Sequence, residues 1–99
     1  MKATVVRYQA KADRADENQR LIEAVFTQLD EQQPNGFTYK VFRLEDGVSF
    51  VHVVIEHDDV DKPDSLQSVP AFQSFVAGIN DRCDVPPLAM GATIVGGYR

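Results

Sequence analysis

Between Phe37 and Glu56 the chain reads FTYKVFRLEDGVSFVHVVIE, two runs of β-branched and aromatic residues around Asp46-Gly47. Asp-Gly between such runs predicts a hairpin, because a type I′ turn needs positive φ at both central residues. With Asp46 and Gly47 as a two-residue loop, Arg43 lies opposite Phe50, Val41 opposite His52 and Tyr39 opposite Val54. Directly opposed side chains share a face. One face then holds Phe37, Tyr39, Val41, Arg43, Phe50, His52 and Val54. The other holds Thr38, Lys40, Phe42, Leu44, Val51, Val53 and Ile55. A three-residue loop would shift the register by one and set His52 with Lys40 and Phe42. In either register the 48–55 run is apolar on both faces, which predicts cover on both sides.

Upstream, residues 3–9 (ATVVRYQ) read as a strand, with Arg7 on the face of Ala3 and Val5. From about Asp13 to Gln32 the apolar positions Leu21, Ile22, Val25, Phe26 and Leu29 fall at helical spacing. Asp13 is the expected cap, with Asp16 and Glu17 in the first turn, where carboxylates suit the helix dipole. Gln32-Gln33-Pro34-Asn35-Gly36 ends that helix. Downstream of the hairpin, residues 56–64 are a polar loop and Ser65 to Val69 a short turn. Pro70 fits the first turn of a second helix. Its stripe is Phe72, Phe75, Val76, Ile79 and Cys83, with Asp84 and Pro86-Pro87 as the stop. The last strand is expected at roughly Ala92 to Tyr98.

The order strand, helix, strand, strand, helix, strand is the βαββαβ pattern of the ferredoxin-like α+β fold. Both helices would cover one face of a four-stranded antiparallel sheet. The other face keeps its aliphatic residues, and no element remains to cover it. A second copy packed sheet on sheet is the economical solution, so a homodimer is expected.

Composition narrows the partners. Ninety-nine residues suit one domain, 1–99. A formal charge of −5 argues against a nucleic-acid surface, whose footprint is basic. It argues equally against simple attraction to anionic lipid. No stretch approaches the roughly 20 apolar residues of a membrane span, and the start lacks the apolar region of a signal peptide. The single cysteine, Cys83, has no partner for an internal disulfide, which makes a reducing, cytoplasmic setting the default.

Candidate chemistry centres on His52. Mid-strand, it is either a hydrogen-bonded structural histidine or a group that orients a phenol or takes its proton. Arg7, Tyr39 and Arg43 are the strand polar groups that would join it, and two cations and a phenol suit an anionic aromatic. Arginines at such positions also snorkel to the rim or pair with carboxylates. Phe72 belongs to the helical stripe and would line one wall of a pocket. Tyr98 would either close a pocket or pack as a strand aromatic. His57 stands among acidic residues, but the spacing matches no EF-hand loop, which favours a solvated loop. Cys83 reads as a buried thiol. No phosphate-binding glycine motif occurs, and Gly96-Gly97 suggests a bulge or close strand approach.

VFRLEDGVSFVHVV, VPAFQSFVAGINDRC and the terminal VGGYR, set in this layout, resemble the dimeric α+β barrel proteins. The likeness is strongest to small members of the antibiotic biosynthesis monooxygenase group. It implies a pocket between sheet and helices, and an oxygenase of an aromatic or quinol-like substrate that works without a cofactor. In such a reaction His52 would be base or orienter, with Arg7, Tyr39, Arg43 and Phe72 binding the substrate. Oxygenases of the group commonly use a tryptophan near an asparagine. This chain has no Trp, and Asn18, Asn35 and Asn80 lie outside the predicted strands, so that pair is not carried over. The rival readings are a non-catalytic small-molecule-binding or stress-associated barrel, and an accessory domain whose dimer surface is its purpose.

Overall fold

A computed structural model describes residues 2–58 and 64–99. Four strands form one antiparallel sheet: β1 (Lys2–Ala10), β2 (Phe37–Arg43), β3 (Ser49–Glu56) and β4 (Cys83–Ala92). Their spatial order is β2-β3-β1-β4. Three helices, α1 (Ala15–Gln32), α2 (Pro70–Ala77) and α3 (Ile79–Arg82), complete the ferredoxin-like α+β architecture, with a 3-10 turn at Leu66–Ser68. The buried core lies between the helices and one sheet face. It includes Tyr8, Ile22, Val25, Tyr39, Phe50, Leu66 and Phe75.

The hairpin has the expected register: Tyr39 faces Val54, Val41 faces His52 and Arg43 faces Phe50. The turn itself differs. Leu44 N–H bonds the Ser49 carbonyl and Gly47 N–H bonds Leu44, so four residues, 45–48, form the loop. Only Gly47 has positive φ, at 78°. Asp46 instead accepts the Val48 and Ser49 amides on one carboxylate oxygen, at 3.0 and 2.8 Å. The loop opened by one residue on each side, which leaves every pairing intact.

Three boundaries are corrected. Asp13 does not cap α1; it lies in the preceding turn, and Arg14 holds the cap position without a side-chain cap. Arg14 pairs with Glu17 at 2.8 Å instead. The predicted second helix breaks at Gly78 into α2 and α3, and Cys83 opens β4. A Cβ at Gly78 would sit 3.3 Å from the Arg82 guanidinium, so the glycine lets that side chain fold back across the break. The last strand is Cys83–Ala92, not 92–98. Pro86-Pro87 lies inside this strand: proline ends helices, but an edge strand needs no ladder donor on its outer side. The register slips there, from Arg7–Leu88 to Gln9–Val85, so one extra residue of β4 bulges at the prolines. Gly96 and Gly97 lie beyond the strand, with open space where a Cβ would be.

Among the described residues, no helix covers the second sheet face. Phe42, Leu88 and Met90 are exposed there, beside half-buried Val5, Val51 and Val53.

Candidate functional site

The site is built where β1, β2 and β3 lie side by side under α1 and α2. Strand alternation puts Thr4, Val6 and Tyr8 of β1 on the helix-covered face, because Val6 pairs with His52 and Tyr8 with Phe50. Tyr39 reaches the same face from β2. On α1, Ala15, Asn18, Ile22 and Val25 are all buried, a single stripe at three- and four-residue spacing. Asn18 is therefore an amide inside a hydrophobic stripe, and it is completely buried.

These side chains form one hydrogen-bond chain. The His52 ring lies between two phenols, with Nδ1 2.7 Å from the Tyr39 hydroxyl and Nε2 2.8 Å from that of Tyr8. Asn18 Nδ2 donates to the Tyr8 oxygen at 2.8 Å. Behind it, Arg82 Nε donates to Asn18 Oδ1 at 3.1 Å, and another guanidinium nitrogen donates to the Phe75 carbonyl. The Arg82 guanidinium also lies 5.3 Å over the Phe75 ring. No ion pair is present for buried Arg82 among the described residues.

Rings hold the chain in place. His52 stacks on Phe75, and Tyr39 stacks on Phe26 while meeting Phe72 edge-on. Burial raises the pKa of both Tyr8 and Tyr39, with the Asn18 hydrogen bond opposing the shift at Tyr8. Burial pushes His52 the other way, to about 4, so its ring is neutral at physiological pH.

A cavity of about 450 Å³ opens against this chain. Tyr8, Tyr39 and His52 form its polar floor, Val6, Val54, Phe72 and Phe75 its apolar walls, and Glu56, Asp64 and Gln67 line its exposed part. That combination, an apolar chamber with a few convergent polar groups, suits a small aromatic molecule with one or two oxygens.

The predicted site residues divide accordingly. His52, Tyr39 and Phe72 come together in the cavity lining. Arg7 does not join them: it pairs with Val51 and points to the opposite sheet face, since alternation separates it from Tyr8. Arg43 shares the His52 face but sits at the hairpin end. There its guanidinium lies 5.5 Å over Phe50 and bonds the Gly47 carbonyl, Asp16 and Gln19. The cavity lining therefore contains neither expected cation. Tyr98 is exposed, with its hydroxyl near Arg99, and is absent from the cavity lining. His57 bonds the Thr38 hydroxyl at 2.8 Å. Part of its acidic surroundings, Asp59 and Asp61, lies outside the described residues. Among the described residues no cluster has the ligands for a metal ion. Cys83 is buried, and burial raises its pKa.

Tyr8, Asn18 and Arg82 were missed. Each carried a signal: Tyr8 alternates with Arg7, Asn18 stands four residues before Ile22, and Arg82 stands three after Ile79. Apolar stripes conceal polar members when only the apolar residues are counted.

Fold and site together define a ferredoxin-like α+β protein with a largely apolar cavity between sheet and helices. Solved structures share this fold over nearly the whole chain. Rv0793 from Mycobacterium tuberculosis superposes with a TM-score of 0.75 at 15% identity, covering 99% of this chain and 98% of its own. A protein named antibiotic biosynthesis monooxygenase gives 0.73 at 17% identity, covering 97% of this chain and 100% of its own. A Nitrosomonas europaea protein provisionally given the same name gives 0.76 at 12%, with coverage of 97% and 100%. The chain thus resembles antibiotic biosynthesis monooxygenase-like proteins in fold. No protein-family model and no curated protein matches its sequence. No described helix is long and apolar enough to cross a membrane.

Proposed function

We propose that the protein is a cofactor-independent monooxygenase-like enzyme of a small aromatic quinol, working as a homodimer. The observation that carries the reading is the Tyr39–His52–Tyr8 chain on the floor of a cavity walled by Val6, Val54, Phe72 and Phe75. Phe72 and Phe75 would form an apolar wall against the ring, and the tyrosine–histidine chain would hold its oxygen and the proton it exchanges. His52 is the central group of that chain, and Tyr39 is the binding group beside it. The substrate supplies all the electrons: a quinol plus O2 gives a hydroxyquinone plus water, one oxygen atom entering the ring. The fold likeness to proteins bearing the monooxygenase name supports this chemistry over others that a phenol-binding cavity allows.

The bare apolar sheet face supports the dimer, since Phe42, Leu88 and Met90 would otherwise face water. A second copy covering it would leave both cavities open on the helical side. A single unpaired cysteine suits a cytoplasmic setting.

Oxygen uptake with 1,4-dihydroxynaphthalene tests the reaction. The expected result is consumption of one O2 per quinol above the buffer rate, formation of the 2-hydroxyquinone, and no O2 returned by catalase. His52→Ala and Tyr39→Phe should slow it at least tenfold. A second reading, non-catalytic binding, is favoured by the engagement of both His52 nitrogens within the protein. Ligand-induced stabilisation with uptake no faster than buffer would establish that reading and overturn the first.

A further inference from the structure

The hydrogen-bond chain behind the cavity has a direction, and the direction starts at Arg82. A guanidinium has donors only. Because Arg82 Nε donates to Asn18, the amide must turn its oxygen to Arg82 and its NH2 to Tyr8. The opposite flip would aim two N–H groups at each other. Tyr8 therefore accepts from Asn18. Its hydroxyl has only two partners among the described residues, Asn18 and His52, so its single proton goes to His52 Nε2. A neutral imidazole that accepts at Nε2 carries its proton on Nδ1. That proton is donated to the Tyr39 oxygen. Tyr39 then keeps its own O–H without an acceptor among the described residues, and Tyr39 lines the cavity.

The reverse polarity is worse at one place. With Tyr39 donating to Nδ1 and Nε2–H donating to Tyr8, the leftover proton would sit on Tyr8. That oxygen is already flanked by Asn18 and His52, whereas the Tyr39 hydroxyl has one hydrogen-bond partner among the described residues. Both polarities leave one phenolic proton over; the first leaves it on the lining tyrosine that has fewer hydrogen-bond partners among the described residues. The charge of Arg82 acts in the same sense. It is buried without a carboxylate partner among the described residues, and it aligns the amide and hydroxyl dipoles with their positive ends toward the cavity.

We propose that Arg82, acting through Asn18 and Tyr8, locks His52 as the Nδ1–H tautomer and makes Tyr39 a hydrogen-bond donor into the cavity. The site thereby selects ligands that present an acceptor oxygen, such as a ketone, a quinone carbonyl or a phenolate. Asn18 and Arg82 are positioning residues: neither is in the cavity lining. His52 is also positioning, because both its nitrogens are committed and protonating it would leave two donors directed at Tyr8. The proposal rests on the small-molecule reading of the cavity but not on turnover, so the enzyme reading can fail while the polarity stands. For a quinol substrate, it is the ionised or keto form that the site would hold.

The test uses the ligand-free protein first. Nitrogen-15 NMR of the labelled histidines should show His52 protonated at Nδ1 and bare at Nε2, with both tyrosine couplings present. Asn18→Asp should reverse it. A carboxylate bound by Arg82 has no proton to give, so Tyr8 would donate to Asp, Nε2 would carry the ring proton, and Tyr39 would donate to Nδ1. The ligand probes are 9-fluorenone, which only accepts, and carbazole, a similar planar molecule that only donates through N–H. Wild type should bind fluorenone at least tenfold more tightly than carbazole, and Asn18→Asp should reverse or abolish that preference. A wild-type His52 protonated at Nε2 overturns the proposal, as does a preference for carbazole. If the variant fails to fold, the wild-type spectrum decides alone.

Discussion

Removing a single oxygen atom from either tyrosine beside His52 should have unequal consequences. Tyr8→Phe keeps the ring stacked on Phe50 but takes away the hydroxyl that joins Asn18 to His52. Two groups lose a partner, the Asn18 amide in a fully buried position and His52 Nε2. A stranded buried polar group costs roughly 1–3 kcal/mol, so the pair should cost roughly 3 kcal/mol after the gain in apolar character. Tyr39→Phe keeps the stack on Phe26 and strands only His52 Nδ1, one group instead of two. Its cost should be about 1 kcal/mol. The difference of about 2 kcal/mol corresponds to roughly 10 °C in Tm for a chain of this length. Urea unfolding of both variants at matched chain concentration measures it, with unchanged m-values as the control for an intact native state. Equal losses within about 0.5 kcal/mol, inside the usual scatter for a surface change, would show that the Tyr8 hydroxyl does not bridge Asn18 and His52.

His52 should also make stability fall on mild acidification. Its folded pKa is lowered to about 4 by burial, against the ordinary imidazole value of 6.5. Above pH 6.5 neither state binds the proton; as pH falls below that, the unfolded chain takes it up first, and stability drops until pH 4. Over that window the loss is on the order of 3 kcal/mol. Urea midpoints at pH 7 and pH 5 should differ in wild type and converge in His52→Gln, and a wild type indifferent to this change would remove the buried neutral imidazole from consideration. For the bare sheet face, Phe42→Lys with Met90→Lys should convert a dimer to a monomer by light scattering while fluorenone still binds. A wild type that is already monomeric at micromolar concentration refutes sheet-on-sheet packing.

Periodicity made the architecture legible. The 37–56 hairpin, its register and the grouping of Tyr39, Val41, His52 and Val54 on one face followed from alternation around Asp46-Gly47, because a period of two leaves only two choices of face. The stripe Ile22–Val25–Leu29 placed α1 by the same logic. His52, Tyr39 and Phe72 were singled out from sequence, and the fold puts all three in the cavity lining.

Tertiary structure decided the rest. Whether Pro86-Pro87 stops a helix or bulges an edge strand depends on what lies beside it, and nothing local says that β4 has a free edge. Arg7 and Arg43 looked alike as strand cations. One faces away, and the other is held at the hairpin end by Phe50 and Asp16. Asn18 and Arg82 are 64 residues apart, and their contact exists only because α1 and α3 pack together. Sequence gives each residue its periodic face. The direction of a proton along Arg82, Asn18, Tyr8, His52 and Tyr39 depends on distances between five side chains from five elements, which no local pattern encodes.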